Sequence, residues 1–424
     1  MIALQHEQAW VALAEALGPR SPILKALLDR FGTPEAILEA KENDIRSVLP
    51  DIGEGTLSAL IRQKTEKEAM RIVTWCHRNG VRILTLDSED YPAPLREIDE
   101  PPAVLYCRGR LPLLDGRLAV GVVGARKADA YGQRVAYKLS FEMAAAGAVI
   151  VSGMAAGIDA IAAAAALNAG SETIAVLGCG IDIVYPSHHT RLAAEIAEHG
   201  AIITEYAPGT KPNGWNFPMR NRIISALSGA VLVVEANENS GALITARYAL
   251  VQGKALFAVP GDITSPRSVG TNRLISDGAA PALDAGEMLD HFRFLYRDTI
   301  RIEKLPEAMQ YSALTPDALR RFGLRPADDT TDREDPGERR EKGVRRKKKK
   351  EEKEPLQAEQ KSLPDTSPLT PRQKELYGML GEGAFSVDLL TGQGVPVSEA
   401  ASTLTVFEIY GLVRSLPGGM FSKK

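Results

Sequence analysis

The chain has 424 residues, room for about three domains at ~150 residues each, and its 44% apolar and 25% charged residues are those of a globular protein. Acidic residues outnumber basic ones by 54 to 51, which excludes a globally cationic nucleic-acid binder and makes any basic site local. The isolated cysteines Cys76, Cys107 and Cys179 exclude a disulfide framework and a zinc site. With no signal-like start and no apolar run of ~18 residues, a soluble cytoplasmic protein without a membrane partner is expected.

Residues 1–75 read as short helices, because apolar residues recur at helical spacing in Trp10-Val11-Leu13-Leu17 and Ile23-Leu24-Leu27-Leu28. In Leu49-Pro50-Asp51-Ile52-Gly53-Glu54-Gly55-Thr56-Leu57 the glycines resemble a helix-hairpin-helix turn, where backbone N–H groups approach a DNA phosphate. Glu54 would repel that phosphate, and a plain helix turn is the alternative. The segment is expected to be a small helical domain of SAM/helix-hairpin-helix-like kind.

Over residues 76–295 short apolar runs alternate with amphipathic stretches. Strands are predicted at 81–86, 103–106, 118–123, 148–152, 173–177, 201–204, 230–235 and 255–259, with helices near 131–146, 158–169, 190–199, 220–227 and 242–252. This alternation predicts an α/β fold, an extended Rossmann-like doubly wound sheet that is mostly parallel. Ligands of such sheets bind beyond the carboxyl ends of the strands, so the residues following each strand matter most.

The first such turn, Gly121-Val122-Val123-Gly124-Ala125-Arg126-Lys127, is not a dinucleotide fingerprint and no acidic ribose partner follows. No cofactor is expected, and Arg126 and Lys127 stand where a pyrophosphate would rest. Next, Ser152-Gly153-Met154-Ala155-Ala156-Gly157-Ile158-Asp159 is a small-residue turn. Its N–H groups form an anion concavity, or its glycines merely permit close helix packing. In Gly178 to Pro186, Tyr185 either stacks on a base or packs at the rim. The pair His188-His189 lacks a third ligand, so no metal is expected.

Lys211, Trp215, Phe217, Arg220 and Arg222 then bring cations and aromatics to one loop and helix start, the mixture suited to single-stranded nucleic acid. Pro218 is read as the helix start, which places Arg220 and Arg222 in the first turn. Cations there are disfavoured by roughly 0.3–1 kcal/mol each unless an anion sits opposite. That anion is either a phosphate or a carboxylate such as Glu205 or Glu235. A further helix starts at Asn239-Ser240-Gly241, and Gly270-Thr271-Asn272-Arg273-Leu274-Ile275 adds one more basic residue.

Seven ordered motifs, GVVGAR, SGMAAGID, LGCGIDIVYP, EYAPGTKP with FPMRNRIIS, VVEANENSGALITARYALVQG, FAVPGD and GTNRLISDGA, span about residues 80–290. In order and spacing they resemble the DNA-processing protein A family (DprA, also called Smf). The resemblance implies a Rossmann-like domain that binds single-stranded DNA, forms homodimers, protects incoming strands in natural transformation and loads the RecA recombinase. It also implies that Arg126, Arg220 and Arg222 line a positive DNA pocket with Ser152, Gly153 and Lys211 beside it. Lys127, Asn221 and Arg273 complete the expected DNA-binding set. Ser187 stands where some relatives have a lysine, so His188 or Arg191 would have to supply that charge.

Residues 296–368 read as a connector and a disordered charged linker, with a basic block at 339–350 followed by Glu351, Glu352 and Glu354. The block either touches DNA backbones or is simply solvated. Residues 369–424 read as a winged-helix-like domain whose third helix, 398–410, has no Lys or Arg and carries Glu399 and Glu408. A protein-contact or dimer-support role therefore suits it better than duplex reading. The competing function for the whole chain is an enzyme acting on a nucleotide or phosphoribosyl group. It would need two of Asp159, Asp182, Glu205 and Glu235 to converge.

Overall fold

The amphipathic spacing of the opening segment folds, in the computed structural model of the chain, into six helices. These are α1 (Ile2–Leu17), α2 (Leu24–Phe31), α3 (Pro34–Glu39), α4 (Glu42–Val48), α5 (Glu54–Ile61) and α6 (Lys64–Arg78). The structure describes residues 2–61, 64–327, 369, 371–381, 383–409, 412–416 and 420–423, and these fall into two compact units, Met1–Pro326 and Ala327–Lys424. The expected basic block at 339–350 lies outside the described residues.

The helical layer does not close on itself. Trp10, Leu13, Leu27, Ile37 and Ile45 are buried in the same cluster as Ile83, Val104 and Tyr106 of the sheet, so the layer and the sheet share a core. Helix α6 also crosses the boundary read at 75/76, because its pattern continues to the positive-φ Gly80 (φ 64°). In the turn compared with a helix-hairpin-helix, Glu54 pairs with Arg46 at 2.6 Å.

Strands without polar alternation need cover on both faces. β3 (Ala119–Val123), β4 (Val149–Ser152), β5 (Thr173–Val176), β6 (Ala201–Thr204) and β7 (Ala230–Val233) are buried throughout. With β1 (Arg82–Thr85), β2 (Val104–Gly109), β8 (Ala255–Ala258) and β9 (Ala280–Pro281) they make a nine-stranded sheet ordered β1-β2-β6-β5-β4-β3-β7-β8-β9. The β1–β2 and β2–β6 ladders are antiparallel and the rest are parallel. A short helix, α7 (Ala93–Arg96), joins β1 to β2.

Alternate residues of each strand feed opposite faces. Val120, Val122 and Ile150 pack under α8 (Ala130–Ala145), α9 (Ile158–Asn168) and α10 (Thr190–His199). Ala119, Val123, Val149 and Val151 pack under α11 (Asn216–Leu227) and α12 (Gly241–Val251). The sheet is thus doubly wound, and its strand order reverses at β3 and β7. Beyond β8 lie α13 (Val269–Ser276) and α14 (Ala285–Asp290).

The periodic pattern does not end at 296. Helices α15 (Leu305–Tyr311) and α16 (Pro316–Arg320) follow, and Ile300, Leu305, Leu319 and Phe322 enter the sheet's core cluster. Polar contacts fasten them: Ser312 Oγ donates to Glu142 Oε1 at 2.8 Å and Asn168 Nδ2 to the Ala318 carbonyl at 2.9 Å. The elements are too short to show a helical period in sequence, which is why they read as connector.

The second unit holds α17 (Pro371–Met379), α18 (Asp388–Thr391) and α19 (Val397–Ile409), then the antiparallel pair β10 (Val413–Leu416) and β11 (Met420–Lys423). This is a winged helix with its own core of Leu376, Leu390, Leu404 and Phe407. Glu399 of α19 pairs with Arg372 at 2.9 Å.

Phe322 is fully buried, so Phe322→Ala should lower the unfolding free energy of the Met1–Pro326 unit by about 3–5 kcal/mol. Urea denaturation reads this, and an unchanged midpoint would show the 300–324 segment to be dispensable.

Candidate nucleic-acid interface

Three parallel strands end side by side, and close backbone approaches lock the turns that follow them. After β3, Gly124 lies against Ile158, whose Cγ1 would be 2.6 Å from an added Cβ. After β4, Gly157 at φ 77° lets the Ile158 N–H reach the Ala125 carbonyl at 3.2 Å. After β5, Gly178 lies flush against the Phe217 ring, at 2.8 Å from an added Cβ. The sequence signal at these glycines was therefore one of close packing as well as of turn geometry.

Phe217 is the hub of the mouth so formed. The exposed Arg126 has its guanidinium 5.2 Å from the Phe217 ring centroid, Arg220 lies 5.9 Å from it, and the Tyr185 ring is 5.4 Å away. The loop before α11 adds the exposed Lys211 and Trp215, the latter 57% exposed. A cavity of about 310 Å³, bordered by Arg20, Tyr206, Thr210 and Asn216, lies behind this loop.

Helix α11 begins two residues before Pro218, at Asn216. Proline is tolerated there because first-turn N–H groups have no intrahelical partner. Arg220 is consequently the fifth helical residue, not a first-turn one, and its side chain points back along the helix. It is 3% exposed and donates to the carbonyls of Gly153, at 2.9 Å, and Val176. It thus ties the ends of β4 and β5 together. A Cβ on Gly153 would collide with this guanidinium. Burial pushes the Arg220 pKa down, partly offset by the nearby Asp159 carboxylate.

Arg222, two residues on, faces the other way, since two helical steps turn about 200°. It is 2% exposed and forms a two-pronged pair with Glu205 at 2.6 and 2.7 Å, with a further bond to the Glu100 carbonyl at 3.2 Å. Against its burial, Glu205 holds the Arg222 pKa above its ordinary value. Of the two anions weighed for these arginines, the carboxylate is therefore the one Arg222 meets. Glu100 also pairs with Arg20, which donates to Met219 Sδ at 3.2 Å, so the helical layer is fastened to the first turns of α11.

The other expected residues divide. Ser152 is buried and donates to the Val122 carbonyl at 2.7 Å, stitching β4 to β3. Asn221 accepts from Arg220 Nε at 3.1 Å and donates to the Gly241 carbonyl at 3.3 Å. Lys127 is exposed next to Arg126, and its carbonyl accepts from Arg267. Arg273 is not brought to the mouth: it lies on α13 against β8 and pairs with Asp277 at 3.1 Å. Among the described residues no cluster suited to a metal ion occurs, and no helix of the described chain is long and apolar enough to cross a membrane.

Two roles escaped the sequence reading. His189 is buried and donates from Nδ1 to the carbonyl of Met154, a residue at φ 52°, so it props the turn after β4. At the reversal point between β3 and β7, the Glu235 carboxylate accepts from the Asp129 N–H at 3.1 Å and from Arg267 at 2.9 Å. Gly132 of α8 lies directly against it. A carboxylate thus closes the crevice where a doubly wound sheet usually takes a nucleotide.

The family model described as "DNA recombination-mediator protein A" matches residues 82–293, and one described as "DprA winged helix domain" matches 360–419. The chain is similar to "DNA processing protein DprA" of Bacillus subtilis (strain 168), at 41% identity over 52% of this chain and 74% of that protein. It is also similar to "Protein Smf" of Synechocystis, at 38% identity over 67% of this chain and 72% of that protein. In structure it matches DNA processing protein A from Streptococcus pneumoniae, with TM-score 0.55, 32% identity, and 66% of this chain and 95% of that chain covered.

Removing one partner of a buried ion pair strands the other, so Arg222→Ala should cost about 3–5 kcal/mol of stability, whereas exposed Arg126→Ala should stay within about 0.5 kcal/mol. Thermal melts of the two variants check this ordering. Burial and the neighbouring His188 lower the His189 pKa from 6.5 to about 4. The unfolded chain therefore binds a proton that the folded one refuses between those values. Stability should fall by about 3 kcal/mol as pH drops through that window. Asparagine at this position should flatten that dependence in pH-series denaturation.

Proposed function

This chain belongs to the DNA recombination-mediator protein A family, and on that premise we propose that it is a non-catalytic binder of single-stranded DNA acting in recombination. One observation carries the reading: an exposed guanidinium, Arg126, set over the ring of Phe217 with Tyr185 beside it, at the ends of three strands. A phosphodiester meets the cation, and a neighbouring base meets the ring surface. Lys211 and Trp215 extend the same chemistry along the loop before α11.

The competing enzyme reading needs carboxylates free to act, and each of those weighed has a structural engagement. Asp159 takes the Gly153 N–H at 3.1 Å and Asp182 the Gly209 N–H at 2.8 Å. Glu205 is paired with Arg222 and Glu235 with Arg267. In the proposal the cytoplasmic protein works as a homodimer, shields incoming single strands during natural transformation and passes them to the RecA recombinase. That handover is the reading of "mediator" we adopt.

Fluorescence anisotropy with labelled thymidine oligonucleotides of increasing length tests the binding. Affinity should rise with strand length and fall with salt. Arg126→Ala should weaken binding at least about tenfold and reduce the slope of log K against log salt by about 0.7, one phosphate contact on a single strand. Trp215→Ala should weaken binding by about 1–3 kcal/mol, the worth of one stacked base, with the slope unchanged. Length-independent, saturable binding of mononucleotides with turnover would sink the proposal.

A further inference from the structure

The turn after β4 carries backbone N–H groups in the arrangement that usually cradles a phosphate, yet it is already filled. Asp159 Oδ2 accepts from the Gly153 N–H at 3.1 Å, and the Ala155 N–H also bonds this carboxylate. Asp159 is 6% exposed. An aspartate at a helix start ordinarily caps its own first turn. Asp159 instead reaches back six residues into the preceding turn, where Arg220 and Arg126 both act on its charge. We propose that Asp159 is a specificity-determining residue: an internal anion that occupies the phosphate position of the turn and thereby turns away inorganic phosphate and mononucleotides.

The charge count supports this. One carboxylate faces two guanidiniums, and the buried one, Arg220, also donates to two strand-end carbonyls. The net positive charge of the group is thus left at the exposed Arg126. Burial holds the Asp159 pKa above its ordinary value, opposed first by Arg220, then by the Ala155 N–H and by Arg126. A compact phosphate monoester needs the N–H cradle and both cations together, and the cradle is taken. A single strand needs only an outward cation and ring faces, repeated along its length. The inference rests on the single-strand reading for its consequence, but not for its test.

The decisive variant is Asp159→Ala, which removes both the charge and the oxygens that fill the N–H cradle. Inorganic phosphate is titrated calorimetrically into full-length wild type and variant at constant ionic strength. The wild type should bind phosphate weakly at most, and the variant should bind it at least about ten times tighter. A folded variant, judged by circular dichroism, that binds phosphate no better than wild type overturns the proposal. Should the variant not fold, wild type decides: phosphate should displace a labelled thymidine oligonucleotide no better than chloride at equal ionic strength. Stronger displacement by phosphate overturns it. Absence of oligonucleotide binding in wild type would instead overturn the functional reading, and the calorimetric titration would still decide Asp159.

Discussion

A single guanidinium fixes the geometry of the strand-end site. Arg220 joins the last carbonyls of two adjacent parallel strands, and parallel strands have no hairpin to hold their ends in register. Several residue identities follow from its position. Gly153 must lack a side chain, Asn221 must accept from Nε, and Phe217 is placed one turn before it on the same helix to roof the cation. Its charge also offsets part of the cost of burying the nearby Asp159 carboxylate, although burial still raises that group's pKa.

The sheet is doubly wound, but in the proposed reading its use is displaced from where that architecture usually works. The reversal point between β3 and β7 is closed by Glu235, Arg267 and the start of α8. The open chemistry lies instead over β3, β4 and β5, where Arg126, Tyr185 and Phe217 gather. A shallow rim of cation and rings suits an extended polymer better than a compact cofactor, which prefers an enclosed cleft.

Much of this was legible because strand ends in an α/β sheet converge by construction. Finding the strands therefore found the glycine turns, Arg126 and the aromatic loop together. What stayed hidden depends on direction. Arg222 is two residues from Arg220, and in any helix the two diverge by about 200°; weighing both against one anion at the helix start overlooked that. Asp159 was weighed as a candidate catalytic carboxylate, because sequence cannot show a side chain reaching backwards. The segment 300–324 looked like a connector because Leu305 and Leu319 sit on helices too short for a period to repeat, and the buried Ile300 and Phe322 lie outside any helix.

The exposure difference between the two arginines of the mouth separates arrival from residence. Arg126 stands in solvent, where its field reaches about a Debye length, some 8–10 Å at ordinary salt. For a strand arriving as proposed, such a rim charge acts on the association rate and fades as salt rises. The ring of Phe217, braced from beneath by the buried Arg220, is insensitive to salt and acts on the dissociation rate. Under that proposal capture and retention fall to neighbouring side chains that obey different physics, so the lifetime of a captured strand would be set apart from the speed of its capture.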